Sequence, residues 1–120
     1  MIQSITVLGS TGSIGVNTLD VIARHPDNYR IFALTANSRT EILLDQCKQF
    51  LPRYAVLADD TLAAQFAIDL RNANLSVEVL TGVAGLEFVA SHIDVDTVMA
   101  AIVGFAGFAP ALAAVKKKKK

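Results

Sequence analysis

The chain has 120 residues, 52% of them hydrophobic, and a formal net charge of zero. This length gives one domain a sizeable core and is short for two. Residues 116–120 are all lysine; without them, six basic residues face eleven acidic ones. That mildly acidic body argues against nucleic acid as the main partner, since nucleic acid favours a basic face.

A glycine-rich turn follows the first predicted strand, Ile5–Leu8. Glycines at intervals of three permit a sharp turn, let a phosphate approach backbone N–H groups, and let the following helix pack closely on the strand. The helix N-terminus adds unpaired donors and partial positive charge. The turn therefore predicts a dinucleotide site, with a tight structural turn as the alternative. The candidate binding residues are Gly9, Thr11, Gly12, Ser13 and Ile14, with hydroxyl donors from Thr11 and Ser13.

Strand and helix patterns alternate along the rest of the chain. The further predicted strands are Arg30–Ala36, Tyr54–Leu57, Val77–Leu80 and Thr97–Ile102. The predicted helices carry apolar faces at Ile14, Thr18, Val21 and Ile22, at Ile42, Leu43, Cys47 and Phe50, at Leu62, Phe66 and Leu70, and at Leu86, Val89 and Ile93. This alternation with short connections predicts an α/β fold, a doubly wound parallel sheet forming a Rossmann-like NAD(P)-binding domain.

The residues after the second predicted strand bear on the choice of cofactor. In this fold an acidic residue there would accept hydrogen bonds from the ribose hydroxyls of NAD. The sequence instead has Asn37, Ser38 and Arg39, whose amide, hydroxyl and guanidinium suit a 2′-phosphate and favour NADP. The alternative is that Ser38 caps a helix, in capping-box spacing with Glu41, and Arg39 is a solvated charge.

The end of the strand Thr97–Ile102 would lie near the topological switch point, where such sheets bind ligands. Ala100, Ala101 and Ile102 are therefore candidates to pack along the cofactor, and the small residues of the loop Val103–Gly107 leave room there. A simple core strand is the alternative.

The uncharged stretch Val98–Val115 precedes the lysines and resembles a membrane span with a positive flank. Gly104, Gly107 and Pro110 interrupt it, so a strand, a loop and a helix are favoured over a span. The amino end shows neither a secretory signal nor a transit peptide, and Cys47 is the only cysteine. A reduced, cytoplasmic setting is expected.

The acidic pairs Asp59-Asp60 and Asp94–Asp96 are more consistent with caps and solvated loops than with a metal site. His25 and His92 stand near predicted helix ends, where interaction with the helix dipole explains them. We therefore assign no catalytic or metal-binding residue.

Several ordered motifs resemble the amino-terminal domain of the 1-deoxy-D-xylulose 5-phosphate reductoisomerase family. They are the turn Gly9–Gly15 followed by Thr18–Val21, then Ala33-Leu34, Pro52–Val56 and Met99–Gly104. The resemblance covers nearly everything before the lysines. It implies an NADPH-binding domain over residues 1–115 and a non-native poly-lysine tail over residues 116–120.

By this resemblance, the intact enzyme is an oxidoreductase and isomerase of isoprenoid precursor biosynthesis. It converts 1-deoxy-D-xylulose 5-phosphate to 2-C-methyl-D-erythritol 4-phosphate with NADPH and a divalent metal, Mg or Mn, and it is a homodimer. Thr11 to Ile14 match the family's pyrophosphate turn and Asn37 to Arg39 its 2′-phosphate position, although relatives often carry Gly-Lys-Asn there. The resemblance puts residues 111–115 in a helix and the metal and substrate sites beyond this chain. A non-catalytic nucleotide-binding or assembly module is the alternative function.

Overall fold

The computed structural model describes residues 2–102 and 111–116. Strands and helices alternate along these ranges, as the sequence pattern predicts. In chain order they are β1 (Gln3–Leu8), α1 (Ser13–Ala23), β2 (Tyr29–Ala36), α2 (Thr40–Phe50), β3 (Tyr54–Leu57), α3 (Asp60–Asn72), β4 (Glu78–Thr81), α4 (Gly82–Ser91), β5 (Thr97–Ile102) and β6 (Ala111–Lys116).

The strands form one sheet in the order β4-β3-β2-β1-β5-β6. The pairs among β1 to β5 are all parallel. From β1 the chain adds strands in one direction as far as β4 and then returns to place β5 on the other side of β1. The prediction of a parallel, Rossmann-like α/β sheet is therefore confirmed, with the switch point between β1 and β5.

Helices cover both faces of the sheet. One buried cluster joins α1, α2 and α3 to the sheet, with Phe66 of α3 fully buried in it. A second cluster lies under Val89 of α4. Within β3, Ala55 and Leu57 belong to the first cluster and Val56 to the second, as the alternation of side chains along a strand requires.

Three apolar residues predicted to face the core are exposed instead: Val21 by 53%, Leu86 by 37% and Ile93 by 78%. Val21 lines an apolar cavity of about 360 Å³ beside Ile14 and Met99. α4 buries Gly85 and Val89, and it ends at Ser91, before Ile93 is reached. Val21 and Leu86 therefore lie outside the face of their helices that packs on the sheet, and Ile93 lies beyond the end of α4.

The last described element also differs from expectation. Residues 111–115, expected in a helix, lie in β6, which runs antiparallel to β5 from the pair Ile102–Ala111 to the pair Thr97–Lys116. Without β6, the outer edge of β5 would present unpaired backbone donors and acceptors. Pairing with β6 satisfies them. The uncharged stretch over 98–115 thus begins and ends in strands, and its loop lies outside the described residues. Within the described ranges, no helix combines the length and the hydrophobicity needed to cross a membrane.

Candidate dinucleotide-binding site

The predicted site lies where β1, β2 and β5 end together. Leu8 pairs with Ala100 of β5, and Val7 pairs with Leu34 of β2. β2 continues to Ala36 and β5 to Ile102, so all three strands finish at the same edge of the sheet. The glycine turn that follows β1 therefore stands at the switch point, where open α/β sheets bind ligands.

The turn depends on two glycines for different reasons. Gly9 has a φ of 74°, in the left-handed region that side chains disfavour. Gly15 lies in the first turns of α1, where an added Cβ would come within 2.6 Å of Ser10 Cα and collide with the Gly9 carbonyl oxygen. Without a side chain at 15, α1 can begin directly against the backbone of the turn.

Gly12 lies on the open side of the turn. It is the N-cap residue of α1 and is exposed. A Cβ added to it would meet the Gly9 carbonyl oxygen at 3.8 Å, an ordinary contact. The protein's own packing therefore leaves room for a side chain at this position, and a bound phosphate would use that space.

The N-terminus of α1 carries no side-chain cap and no acidic residue in its first turn. The first N–H groups of a helix have no acceptor within the helix and carry partial positive charge. Ser13 is exposed and Ile14 half-buried, while Thr11 as a whole residue is 7% exposed. The start of α1 therefore offers backbone donors and the Ser13 hydroxyl to an anion.

Behind the turn lies a buried polar cluster that the sequence interpretation missed. The Ser10 hydroxyl donates to Gln46 Oε1 at 2.7 Å, and Gln46 Nε2 donates back to the Ser10 carbonyl at 2.8 Å. The Gly9 N–H donates to Thr35 Oγ1 at 2.9 Å. A signal was present, because Gln46 is a polar residue within the apolar stripe between Leu43 and Cys47.

The second predicted contact region, Asn37, Ser38 and Arg39, follows β2 directly, and all three residues are exposed. The capping box is wrong: α2 begins at Thr40 with Arg39 as its N-cap residue and no side-chain cap. The Ser38 carbonyl accepts from the Thr40 N–H at 2.9 Å, so the chain turns once more before the helix starts. The Ser38 hydroxyl is thus not engaged as the cap of α2.

The third region lies at the end of β5. Ala100 is half-buried, and the backbone of Ala101 and Ile102 continues β5 beyond the last pair with β1. The loop Val103–Gly107 lies outside the described residues. The backbone of β5 thus borders the edge that holds the glycine turn.

Three of the four acidic residues singled out in the sequence, Asp59, Asp94 and Asp96, have structural partners. The Asp59 carboxylate caps α3, accepting from the Leu62 N–H at 3.0 Å. Asp94 pairs with Arg53 at 3.0 Å, and the Asp96 carboxylate accepts from the Ser4 N–H at 2.9 Å. In the part of the chain that the structure describes, no three His, Cys, Asp or Glu side chains are grouped to hold a metal ion.

The histidines lie at helix ends, as their spacing predicts. His25 follows α1, and its N–H donates to the Ile22 carbonyl. His92 is the C-cap residue of α4, where its Nδ1 accepts from the Asp94 N–H at 3.1 Å and its ring packs against Phe32. Both histidines are separated from the glycine turn in the sequence, and each lies at the C-terminal end of a helix.

Comparison with known proteins agrees with this geometry. The family model of 1-deoxy-D-xylulose 5-phosphate reductoisomerase matches residues 5–120. A 1-deoxy-D-xylulose 5-phosphate reductoisomerase from Nitrosospira multiformis is 56% identical over 119 residues, which is 99% of this chain and 30% of the relative. The chain thus spans less than a third of the length of that relative.

Solved structures give the same result. A crystal structure of DOX-P reductoisomerase in complex with magnesium has a TM-score of 0.82 and 45% identity, covering 89% of this chain and 26% of that one. Another, in complex with NADPH, fosmidomycin and magnesium, has a TM-score of 0.77 and 42% identity, covering 81% of this chain and 24% of that one. This chain belongs to the 1-deoxy-D-xylulose 5-phosphate reductoisomerase family.

Proposed function

We propose that this chain is the NADPH-binding part of an enzyme that isomerises and reduces 1-deoxy-D-xylulose 5-phosphate to 2-C-methyl-D-erythritol 4-phosphate. The observation that carries the proposal is the glycine turn at the switch point: Gly9 makes the turn, Gly15 lets α1 approach it, and Gly12 leaves its outer side open. The proposed reaction is supported by the membership of this chain in the 1-deoxy-D-xylulose 5-phosphate reductoisomerase family.

The pyrophosphate of NADPH would lie against the start of α1. The backbone N–H groups of Ser13 and Ile14 and the Ser13 hydroxyl supply donors, and the helix supplies partial positive charge. Thr11, whose side chain is largely buried, contributes through the backbone of the turn rather than through an exposed hydroxyl. No carboxylate in the first turn of α1 opposes the phosphates.

The 2′-phosphate of the adenosine ribose would lie against Asn37, Ser38 and Arg39. All three are exposed beyond the end of β2, and none carries the negative charge that would repel a phosphate. A guanidinium can hold a phosphate through two charge-assisted hydrogen bonds. Arg39 is therefore the residue that distinguishes NADPH from NADH.

The nicotinamide end would lie along β5, at Ala100, Ala101 and Ile102. NADPH supplies the hydride for the reduction when it is bound. The divalent metal, Mg or Mn, and the sugar phosphate would be held by residues outside this chain. The full-length enzyme would be a cytoplasmic homodimer that acts on a small-molecule substrate and binds neither nucleic acid nor membrane. A non-catalytic nucleotide-binding module is the less favoured alternative, because the chain belongs to an enzyme family.

Titration of the chain with NADPH and NADH tests the proposal. We expect NADPH to bind more tightly than NADH, and Arg39→Ala to narrow the difference in Kd by about tenfold or more, since a hydrogen bond to a charged group contributes about 1.5–3 kcal/mol. Arg30→Ala is the matched control, because Arg30 is an exposed arginine at the opposite end of β2. Equal affinity of the unaltered chain for both cofactors would refute NADPH specificity, and binding of neither would refute the site.

A further inference from the structure

Ser10 and Gln46 form a closed pair of hydrogen bonds. The Ser10 hydroxyl donates to Gln46 Oε1, and Gln46 Nε2 donates to the Ser10 carbonyl. The side-chain amide thus binds one residue of the glycine turn at two atoms, as an acceptor and as a donor. This arrangement holds the peptide of Ser10 in position and in orientation.

Both residues are buried, since Ser10 is 0% exposed and Gln46 is 8% exposed. A buried polar group that loses its hydrogen-bond partner is destabilising, because it has given up its hydration and receives nothing in return. Among the described residues, no buried side-chain nitrogen or oxygen lacks a hydrogen-bond partner. The amide orientation is fixed by chemistry as well, because the Ser10 carbonyl can only accept, so Nε2 must face it.

The rear of the turn is held from β2 as well. The Ser10 N–H donates to the Thr35 carbonyl at 2.8 Å, and the Gly9 N–H donates to Thr35 Oγ1. Gly12 and Ser13 lie on the outer side and are exposed, and the Gly12 N–H donates to the Gly9 carbonyl within the turn at 3.4 Å. The turn is therefore anchored on its inner side while its outer side stays open for a ligand.

Gln46 lies on α2, the helix that begins directly after Asn37, Ser38 and Arg39. The amide therefore connects the turn proposed to hold the pyrophosphate with the helix whose start is proposed to meet the 2′-phosphate. A ligand that bridges both regions depends on the distance between them, and a preorganised distance improves affinity.

We propose that Gln46 is a positioning residue for NADPH: through Ser10 it fixes the glycine turn, and it sets the turn's spacing from Asn37–Arg39. This inference rests on the proposed function. In this proposal Gln46 acts through its hydrogen bonds to Ser10 and not by contact with the ligand. Its effect is confined to ligands that need the turn, whereas a ligand that uses only the 2′-phosphate region does not depend on it.

The test compares Gln46→Met, which keeps the length of the side chain and removes both hydrogen bonds, with the unaltered chain. The probes are NADP⁺, which needs both regions, and adenosine 2′-phosphate, which needs one. We expect the Kd of NADP⁺ to rise about tenfold and that of adenosine 2′-phosphate to change less than about twofold. Gln49→Met on the exposed side of α2 is the matched control and leaves both Kd values unchanged.

Ser10→Ala is the second variant. It removes the hydroxyl but keeps the carbonyl that Gln46 Nε2 donates to, so a smaller rise of about threefold for NADP⁺ alone is expected. If Gln46→Met does not fold, the Ser10→Ala result tests the positioning role of Gln46. Equal losses for both probes, or unchanged NADP⁺ binding, would overturn the positioning role while the proposed function stands. Failure of the unaltered chain to bind NADP⁺ would overturn both.

Discussion

Gly12 and Gly15 have different roles in the same turn. Gly12 leaves space for a ligand, whereas Gly15 allows α1 to pack against the turn. An added Cβ at Gly12 makes no close contact with the protein. We expect Gly12→Val to fold with a slightly lower Tm, because valine is a poorer N-cap residue than glycine, and to lose NADPH binding, because its side chain fills the space that the phosphates need. Calorimetric titration together with thermal unfolding checks both halves. Retained NADPH affinity would show that the phosphates lie elsewhere.

At Gly15 the expectation is reversed. A methyl group there would press on the backbone of Gly9 and Ser10, which cannot move without breaking the hydrogen bonds behind the turn. Gly15→Ala should lower the free energy of unfolding by about 3 kcal/mol, at the upper end of the cost of overpacking. Urea unfolding measures it. A loss below about 0.5 kcal/mol, typical of surface sites, would mean that the turn and α1 are not in close contact.

Cys47 gives the chain a predictable response to alkaline pH. Burial raises the pKa of its thiol from 9.0 to about 12. The folded state therefore keeps the proton that the unfolded state releases above pH 9, so the stabilisation is complete below pH 9 and is lost as the pH rises toward 12. The loss reaches about 1.4 kcal/mol for each pH unit.

Urea unfolding between pH 8 and about 11 tests this dependence. Subtracting the same series for Cys47→Ala removes the contribution of the other groups that titrate in this range. The difference between the two free energies of unfolding should shrink as the pH rises. A constant difference would mean that the thiol ionises equally in both states.

For single residues, the sequence predicts features that depend on neighbouring residues. It does not predict contacts between residues that are far apart in the chain. The spacing of Gly9, Gly12 and Gly15 predicts the turn because each glycine acts on its neighbours. The partnership of Ser10 with Gln46 joins residues 36 positions apart. The polarity of Gln46 within an apolar stripe indicates that it has a buried partner, but only the packing of α2 identifies that partner.

Among the elements, α3 has the clearest start signal. Asp59 accepts from the Leu62 N–H and is the N-cap residue. We expect Asp59→Ala to lower the free energy of unfolding by about 1 kcal/mol and Asp59→Asn to be nearly neutral, because asparagine caps as well as aspartate. Chemical denaturation separates the two variants. Equal losses would indicate that the charge, and not the cap, is what matters.

The ends of the elements show where local patterns fail. Asp59 was predicted as a cap of α3 and is one, whereas Ser38 was predicted as a cap of α2 and is followed by one further residue before the helix starts. Both residue types cap well, so the choice depends on how far the strand continues and how the helix packs. β6 is a similar case. The sequence of residues 111–115 does not show that these residues pair with the edge of β5, so it does not predict a strand there.

In the whole sheet, β1 and β2 lie between paired neighbours, while β4 has one neighbour, β3. Strands with partners on both sides open only when much of the sheet opens. We expect backbone amides of β1 and β2 to exchange with deuterium more slowly than those of β4, and saturating NADP⁺ to slow exchange at Gly12 to Ile14. Residue-resolved hydrogen exchange checks both. Equal protection of β4 and β1 would mean that the sheet opens as one unit.

The fold class was predictable at this scale because alternating strands and helices with short connections allow few arrangements other than a parallel sheet. The order of strands in the sheet depends on contacts between residues that are far apart in the sequence. The residues of β5 alone do not indicate that the chain passes β3, β2 and β1 after β4 and places β5 on the far side of β1. Its place follows from the buried pairing of Ile5 with Thr97 and from the contact of Ser4 with Asp96 across the same pair of strands.

The pairing of β1 with β5 has a consequence for synthesis on the ribosome. Translation delivers the glycine turn before α1 to α4, whereas β5, the neighbour of β1 on its far side, arrives only after β4 and α4 have emerged. Domains generally fold as units while they are being made, and an open strand edge invites association with other chains. Until β5 emerges, nascent chains of this protein therefore expose one flank of β1, an edge with which other chains can pair.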